Sequence, residues 1–234
     1  MHNFKYKKNN LFCEGVEVEK ICKNFNTPFY LYSSKTLINN YKLLHKMLYG
    51  INFLIAYSVK ANSNLSVLKT LAKCGAGADV VSIGELKKAL KAGISKNKIV
   101  YSGVGKTKDE IAFALKNKIA QFNVESIEEL ETIAKIAEQI KLDANIALRV
   151  NPDISAGGHP KISTGKKTDK FGIPISEARK IYELARKIKS LKIVGIDIHI
   201  GSQIRHLTPF RKAFKKVLRF CIELDKLGFK IKNI

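Results

Sequence analysis

Tyr57-Ser58-Val59-Lys60-Ala61-Asn62 closes an apolar run that begins Phe53-Leu54-Ile55-Ala56, and it leaves one lysine where the run stops. A lysine does not belong inside a sheet. Read as a buried parallel strand, residues 53–59 put Lys60 at the strand's C-terminal end, where α/β barrels gather their chemistry. A partly desolvated amine at that end can attack a carbonyl. The plainer alternative is a solvated loop lysine, the commoner fate of this residue type.

Working outward, strands and helices alternate. Before the run, Leu37, Ile38, Tyr41, Leu44 and Leu48 fall at helical spacing. After it come a helix through Leu65, Leu68, Leu71 and Ala72, then strands over 78–81, 99–101, 120–124, 145–150 and 193–200. Ser82 with Glu85, Thr107 with Glu110, and Ser126 with Glu129 each predict a capping box at the start of a helix. Thr208-Pro209 and Gly228 bracket a last helix, and Ile231-Lys232-Asn233-Ile234 reads as the start of another strand. Residues 1–30 form an N-terminal lead-in segment, expected to supply an edge strand, and residues 31–234 form the main domain.

Six β-then-α units require a parallel sheet, either a barrel or a doubly wound layer. Residues two apart on a strand share a face. That rule groups Ser58 with Lys60, Gln121 with Asn123, Arg149 with Asn151, and Asp197 with His199, while Ile146, Leu148, Val150, Ile196 and Ile198 take the other face. A doubly wound sheet wants apolar residues on both faces, so the expected fold is an α/β class incomplete TIM (β/α)8 barrel with about six of eight units.

Several stretches carry candidate chemistry. Ser102-Gly103-Val104-Gly105-Lys106-Thr107 imitates the end of a P-loop, but Val100 stands where the motif needs its first glycine, so Thr107 is read as a helix cap. His199-Ile200-Gly201-Ser202 offers a flat imidazole, a glycine permitting close backbone approach and a hydroxyl, or else a hydrogen-bonded barrel histidine beside a cap. Arg149 needs an anionic partner if buried, and Asp79 is the expected counter-charge for it or for Lys60. The glycine-rich loop 151–172 reads as a binding loop over the barrel mouth.

With 45% hydrophobic residues in 234, the chain can bury a sizeable core. Its net charge of +22 suits a nucleic-acid binder, yet the lysines are scattered, clustering only at Gly165-Lys166-Lys167-Thr168-Asp169-Lys170. A lysine-biased proteome or an anionic small-molecule substrate is therefore preferred to nucleic acid. Cys13, Cys22, Cys74 and Cys221 show no metal-binding spacing, and no apolar run reaches membrane-spanning length, so a cytoplasmic protein with reduced thiols and no metal is expected.

The motifs together resemble the diaminopimelate decarboxylases, within the alanine-racemase-like barrel class of pyridoxal phosphate enzymes. Tyr57-Ser58-Val59-Lys60-Ala61-Asn62, Asp79-Val80-Val81-Ser82 with Gly84-Glu85, Arg149-Val150-Asn151-Pro152 and His199-Ile200-Gly201-Ser202 match that family's segments in order and spacing. Gly157-Gly158-His159, Thr164-Gly165 and Lys170-Phe171-Gly172 resemble its substrate loop, whereas ornithine and arginine decarboxylases share only the lysine and histidine motifs. The resemblance implies that pyridoxal 5'-phosphate is held covalently by Lys60, with His199 against its ring and Ser202 at its phosphate. It also implies Arg149 and Asp79 in the polar surround, His159 near the substrate, and Lys60 and His199 as the catalytic pair. It implies decarboxylation of meso-2,6-diaminopimelate to L-lysine by a homodimer. The family's glycine-rich phosphate loop, its pyridine-nitrogen carboxylate and its C-terminal β-domain have no counterpart in these residues, so this chain alone is expected to be truncated and largely inactive. A related decarboxylase with another substrate and a basic nucleic-acid-binding remnant are the alternatives.

Overall fold

The computed structural model describes residues 2–154 and 171–234. The first thirty residues differ from expectation. They build a separate antiparallel sheet of β1 (Phe4–Lys7), β2 (Asn10–Cys13) and β3 (Val16–Glu17), followed by helix α1 (Val18–Asn24), and supply no strand to the parallel sheet. The reason is turn chemistry. Lys8 and Asn9 at φ 46° and 64°, then Glu14 and Gly15 at 58° and 119°, turn the chain back on itself twice. Residues 29–32 are irregular.

The parallel sheet follows the expected alternation: α2 (Ser34–Met47), β4 (Ala56–Ser58), α3 (Leu65–Lys73), β5 (Gly77–Val80), α4 (Ile83–Lys91), β6 (Ile99–Tyr101), α5 (Lys108–Lys116), β7 (Gln121–Val124), α6 (Ile127–Gln139), β8 (Ala144–Asn151), β9 (Ile173–Pro174), α7 (Ile175–Arg186), β10 (Leu191–Asp197) and α8 (Thr208–Lys226). The strands lie in the order β4-β5-β6-β7-β8-β10, all parallel, with the short β9 beside the end of β8. The short β9 aside, each strand therefore neighbours the one before it in sequence. A doubly wound sheet reverses direction partway, so this order is that of a barrel wall. Residues 231–234 begin a further parallel neighbour of β10, through the Gly195–Asn233 bridge and Ile196 N–H donating to Asn233 O at 3.0 Å.

The core lies between the sheet's outer face and the helices. Ala78, Val80, Ile99, Tyr101, Phe122, Val124, Ile146, Leu148 and Ile196 face outward and are buried against Leu68, Leu86, Ile111, Leu130, Ile133, Tyr182 and Val217. Each such aliphatic side chain contributes about 1.5–3 kcal/mol on burial. Tyr182 adds a hydrogen bond from its Oη to Gly195 O at 2.9 Å. Of the three expected capping boxes, Thr107–Glu110 is complete. Glu85 and Glu129 instead accept from the backbone N–H of Val81 and Glu125, one residue further back than a box requires. Thr208 is the first helical residue of α8 rather than its cap, which is Leu207.

Candidate active site

Strand β4 is shorter than expected. Pairing with β5 covers only Ala56–Ser58, because β4 has one neighbour, and Val59–Ala61 coil into a 3-10 turn. Lys60 therefore sits two residues past the strand end, on the mouth side as expected, but exposed rather than partly desolvated. Val59 beside it is fully buried and anchors the turn.

The inward face is polar, as strand parity predicts, and its side chains are joined to one another. Asp79 of β5 accepts from Ser58 Oγ at 3.2 Å and from Ser102 Oγ at 2.5 Å. Asn123 Nδ2 of β7 donates to Ser102 Oγ at 3.0 Å, and Gln121 Nε2 donates to Asn123 Oδ1 at 2.9 Å. Asn233 Nδ2 completes the series with 2.9 Å to Gln121 Oε1. One continuous chain of side-chain hydrogen bonds thus crosses the inner wall from β4 to the segment beyond β10. Buried amides and carboxylates demand such partners.

Arg149 is buried, and its partner corrects the sequence reading. Its Nη1 donates to Glu125 Oε1 at 2.9 Å, whereas Asp79 is engaged by the two serines. Glu125 is 5% exposed, and the same Oε1 accepts the Gly103 N–H at 3.0 Å. Gly103 has φ 90°, a left-handed conformation that favours glycine. Behind Glu125 lies a second buried pair, Lys106 with Glu129, in which Lys106 also donates to Gly103 O at 2.7 Å and Asn123 O at 2.8 Å. The P-loop look-alike is therefore a structural lysine under the wall. Burial pushes the Glu129 carboxyl up, against the opposing pull of Lys106.

His199 lies two residues past β10, half-buried. Desolvation lowers its pKa, and the positive charges of Arg149 and Lys60 lower it further against the opposing pull of Asp79. The four residues are thus close enough to share one electrostatic environment, and the ring is neutral at pH 7. Asp197, inward and paired in register with Arg149, is raised to about 6, mainly by burial and further by Asp79 and Glu125. Ser202 is exposed in the irregular segment after His199, beyond Gly201 at φ 134°. His159 falls outside the described residues. Arg149 Nε, Glu125 Oε2 and Asn151 Oδ1 are buried without a hydrogen-bond partner among the described residues. The Arg149 guanidinium and the exposed Lys60 amine, two positive charges that both act on His199, fit an anionic, aldehyde-bearing ligand.

The sequence reading missed Glu125. The signal was available, since Gln121, Asn123 and Glu125 continue one alternating series onto the inner face.

Comparison with known proteins agrees with this geometry. The family described as "Pyridoxal-dependent decarboxylase, pyridoxal binding domain" matches residues 34–234. Over its whole length the chain is 44% identical to a diaminopimelate decarboxylase of Pseudomonas aeruginosa, of which it covers 56%. It is similar to the crystal structure of diaminopimelate decarboxylase from Helicobacter pylori complexed with L-lysine, at 45% identity and TM-score 0.87, over 92% of this chain and 54% of that one. It is also similar to the enzyme of M. jannaschii in co-complex with L-lysine, at 37% identity and TM-score 0.90, over 99% and 56%. The chain thus spans about half the length of the relatives it matches.

Proposed function

Since the chain belongs to the pyridoxal-dependent decarboxylase family, matching its pyridoxal-binding domain over residues 34–234, we propose that it forms the cofactor-binding barrel wall of a diaminopimelate decarboxylase. The whole protein would remove carbon dioxide from meso-2,6-diaminopimelate to give L-lysine, as a cytoplasmic homodimer. One observation carries the reading: an exposed lysine at the C-terminal end of β4 shares its electrostatic environment with a half-buried neutral imidazole and a buried guanidinium. Among the described residues no helix is long and apolar enough to cross a membrane.

Bound pyridoxal phosphate supplies the electron sink for the pair released when the substrate's Cα–carboxylate bond breaks. The residues of the chain supply everything positional. Lys60, exposed at the mouth, presents its amine to the aldehyde. Neutral His199 offers a flat ring to a flat ligand without adding a proton that would repel Lys60. Arg149 and Asp79 are fixed by Glu125 and by Ser58 and Ser102, so neither must reorganise when charge develops. Ser202, exposed nearby, would take the phosphate, and His159 would meet the substrate.

The test is reductive trapping. With pyridoxal phosphate and borohydride, peptide mapping should find the pyridoxyl label at Lys60 far above the surface lysines. Meso-diaminopimelate should protect Lys60 at lower concentration than ornithine or arginine, because a specific substrate draws the aldehyde away first. Labelling spread evenly over the lysines contradicts the cofactor site. Equal protection by all three amines points instead to a related decarboxylase with another substrate.

A further inference from the structure

We propose that Glu125 is a positioning residue for the Arg149 guanidinium, holding it in place at the barrel mouth. The proposal rests on the pyridoxal phosphate reading and adds to it a residue outside the lysine, arginine and histidine motifs.

The geometry of Glu125 is that of a clamp. A single carboxylate oxygen, Oε1, accepts both Arg149 Nη1 at 2.9 Å and Gly103 N–H at 3.0 Å. It thereby ties the end of β8 to the loop after β6, across the intervening β7. Glu125 is itself fixed from behind, since its N–H donates to Glu129 Oε2 at 3.1 Å and Glu129 is paired to the buried Lys106. Two ion pairs, Lys106–Glu129 and Glu125–Arg149, thus stand back to back, joined through the Glu125 backbone N–H.

The clamp also leaves something over. Arg149 Nε and Glu125 Oε2 are buried with no hydrogen-bond partner among the described residues. Both atoms are shielded from solvent, so the pair is tied through one oxygen alone, and a ligand at the mouth would meet a guanidinium that Glu125 has already ordered.

The location matters for the neighbours. His199 is faced by Arg149 from β8, by Lys60 from the turn after β4 and by Asp79 from β5. Desolvation is the main cause of the lowered His199 pKa and the Arg149 charge lowers it further, so a guanidinium set loose would let it rise part of the way back.

Three variants of the full chain test this: Glu125→Ala, Glu125→Asp and Glu125→Gln. Gln retains an acceptor for both hydrogen bonds, Asp is too short to reach both, and Ala reaches neither. In Glu125→Ala, pyridoxal phosphate affinity, read by the concentration giving half-maximal trapping at Lys60, should fall about tenfold or more. The His199 titration midpoint, read by NMR, should rise towards the ordinary histidine value. Glu125→Gln should stay within about threefold of the native affinity, with His199 still low. If Glu125→Ala does not fold, Glu125→Asp is read in its place, with the same direction expected. A variant that loses stability while its His199 midpoint and cofactor affinity stay native overturns the proposal and leaves Glu125 a structural residue. Failure of the native chain to label at Lys60 is a different result, which removes the cofactor reading itself.

Discussion

Alternate residues of the same strands meet two different fates. On the outer face Phe122, Val124, Ile146 and Leu148 are buried against helices and need only shape and volume. On the inner face Gln121, Asn123, Arg149 and Asn151 are equally buried, yet three of them meet polar side chains and Asn151 Nδ2 meets a backbone carbonyl. The lesson is one of stakes. An apolar layer tolerates substitutions that keep its volume, whereas a buried polar layer is costly wherever one member loses its partner. That cost is worth bearing where buried charges serve a ligand, and Arg149 and Asp197 stand side by side towards the C-terminal ends of β8 and β10.

The contrast can be broken at several points. The largest effect is expected on the inner face. Arg149→Ala leaves Glu125 buried and uncompensated and should cost about 3–5 kcal/mol in urea unfolding. On the outer face, Leu148→Ala should cost about 2–5 kcal/mol through a cavity, and Leu148→Met well under 2 kcal/mol, with trapping at Lys60 preserved wherever the protein is folded. If the arginine variant proves the milder of the two, the inner pair is not energetically committed.

A titrating group sharpens the comparison. Asp197 is raised from 3.8 to about 6 by burial among other carboxylates, despite Arg149. Its favourable contribution is therefore complete below about 3.8 and is lost as pH rises through about 6. Asp197→Asn should thus stabilise the fold by about 2 kcal/mol at pH 8, with a gain that shrinks as pH falls to about 5. Parallel denaturation curves at the two pH values check this, and a gain that does not depend on pH would refute the charge argument. His199 has the opposite sign. Its lowered pKa gives stability that is present above the ordinary histidine value of 6.5 and is lost as pH falls through the folded-state value. The smallest effect belongs to the proposed nucleophile. Lys60→Ala removes an exposed side chain and should change stability by less than about 0.5 kcal/mol, while abolishing specific trapping.

Much of this was legible in the chain itself, and the misses share a cause. Parity along 121–123, 146–150 and 196–199 separates the two faces because the side-chain period of a strand is fixed by covalent geometry. The order of the strands followed from regular alternation with short connections. What failed was whatever depends on a partner distant in sequence. Arg149 called for an anion but could not say which, and Asp79 was the nearer motif residue while Glu125 held the geometry. The apolar run 53–59 predicts a full strand with a desolvated Lys60 at its end. An edge strand with one neighbour keeps only the residues that this neighbour can pair. The N-terminal hairpins were missed because Lys8-Asn9 and Glu14-Gly15 turn through positive φ in a stretch whose apolar content is too thin to announce strands.

The central claim is that the C-terminal end of the inner face is a binding surface for a flat anionic aldehyde. Histidine NMR during titration with pyridoxal phosphate tests it most directly, since among the chain's 5 histidines His199 is the one shown to feel the charges of Lys60 and Arg149. The account predicts that the His199 ring signals move first and furthest, and that the movement is lost in Lys60→Ala. Movement confined to the other histidines, or a His199 response that survives without Lys60, would contradict it.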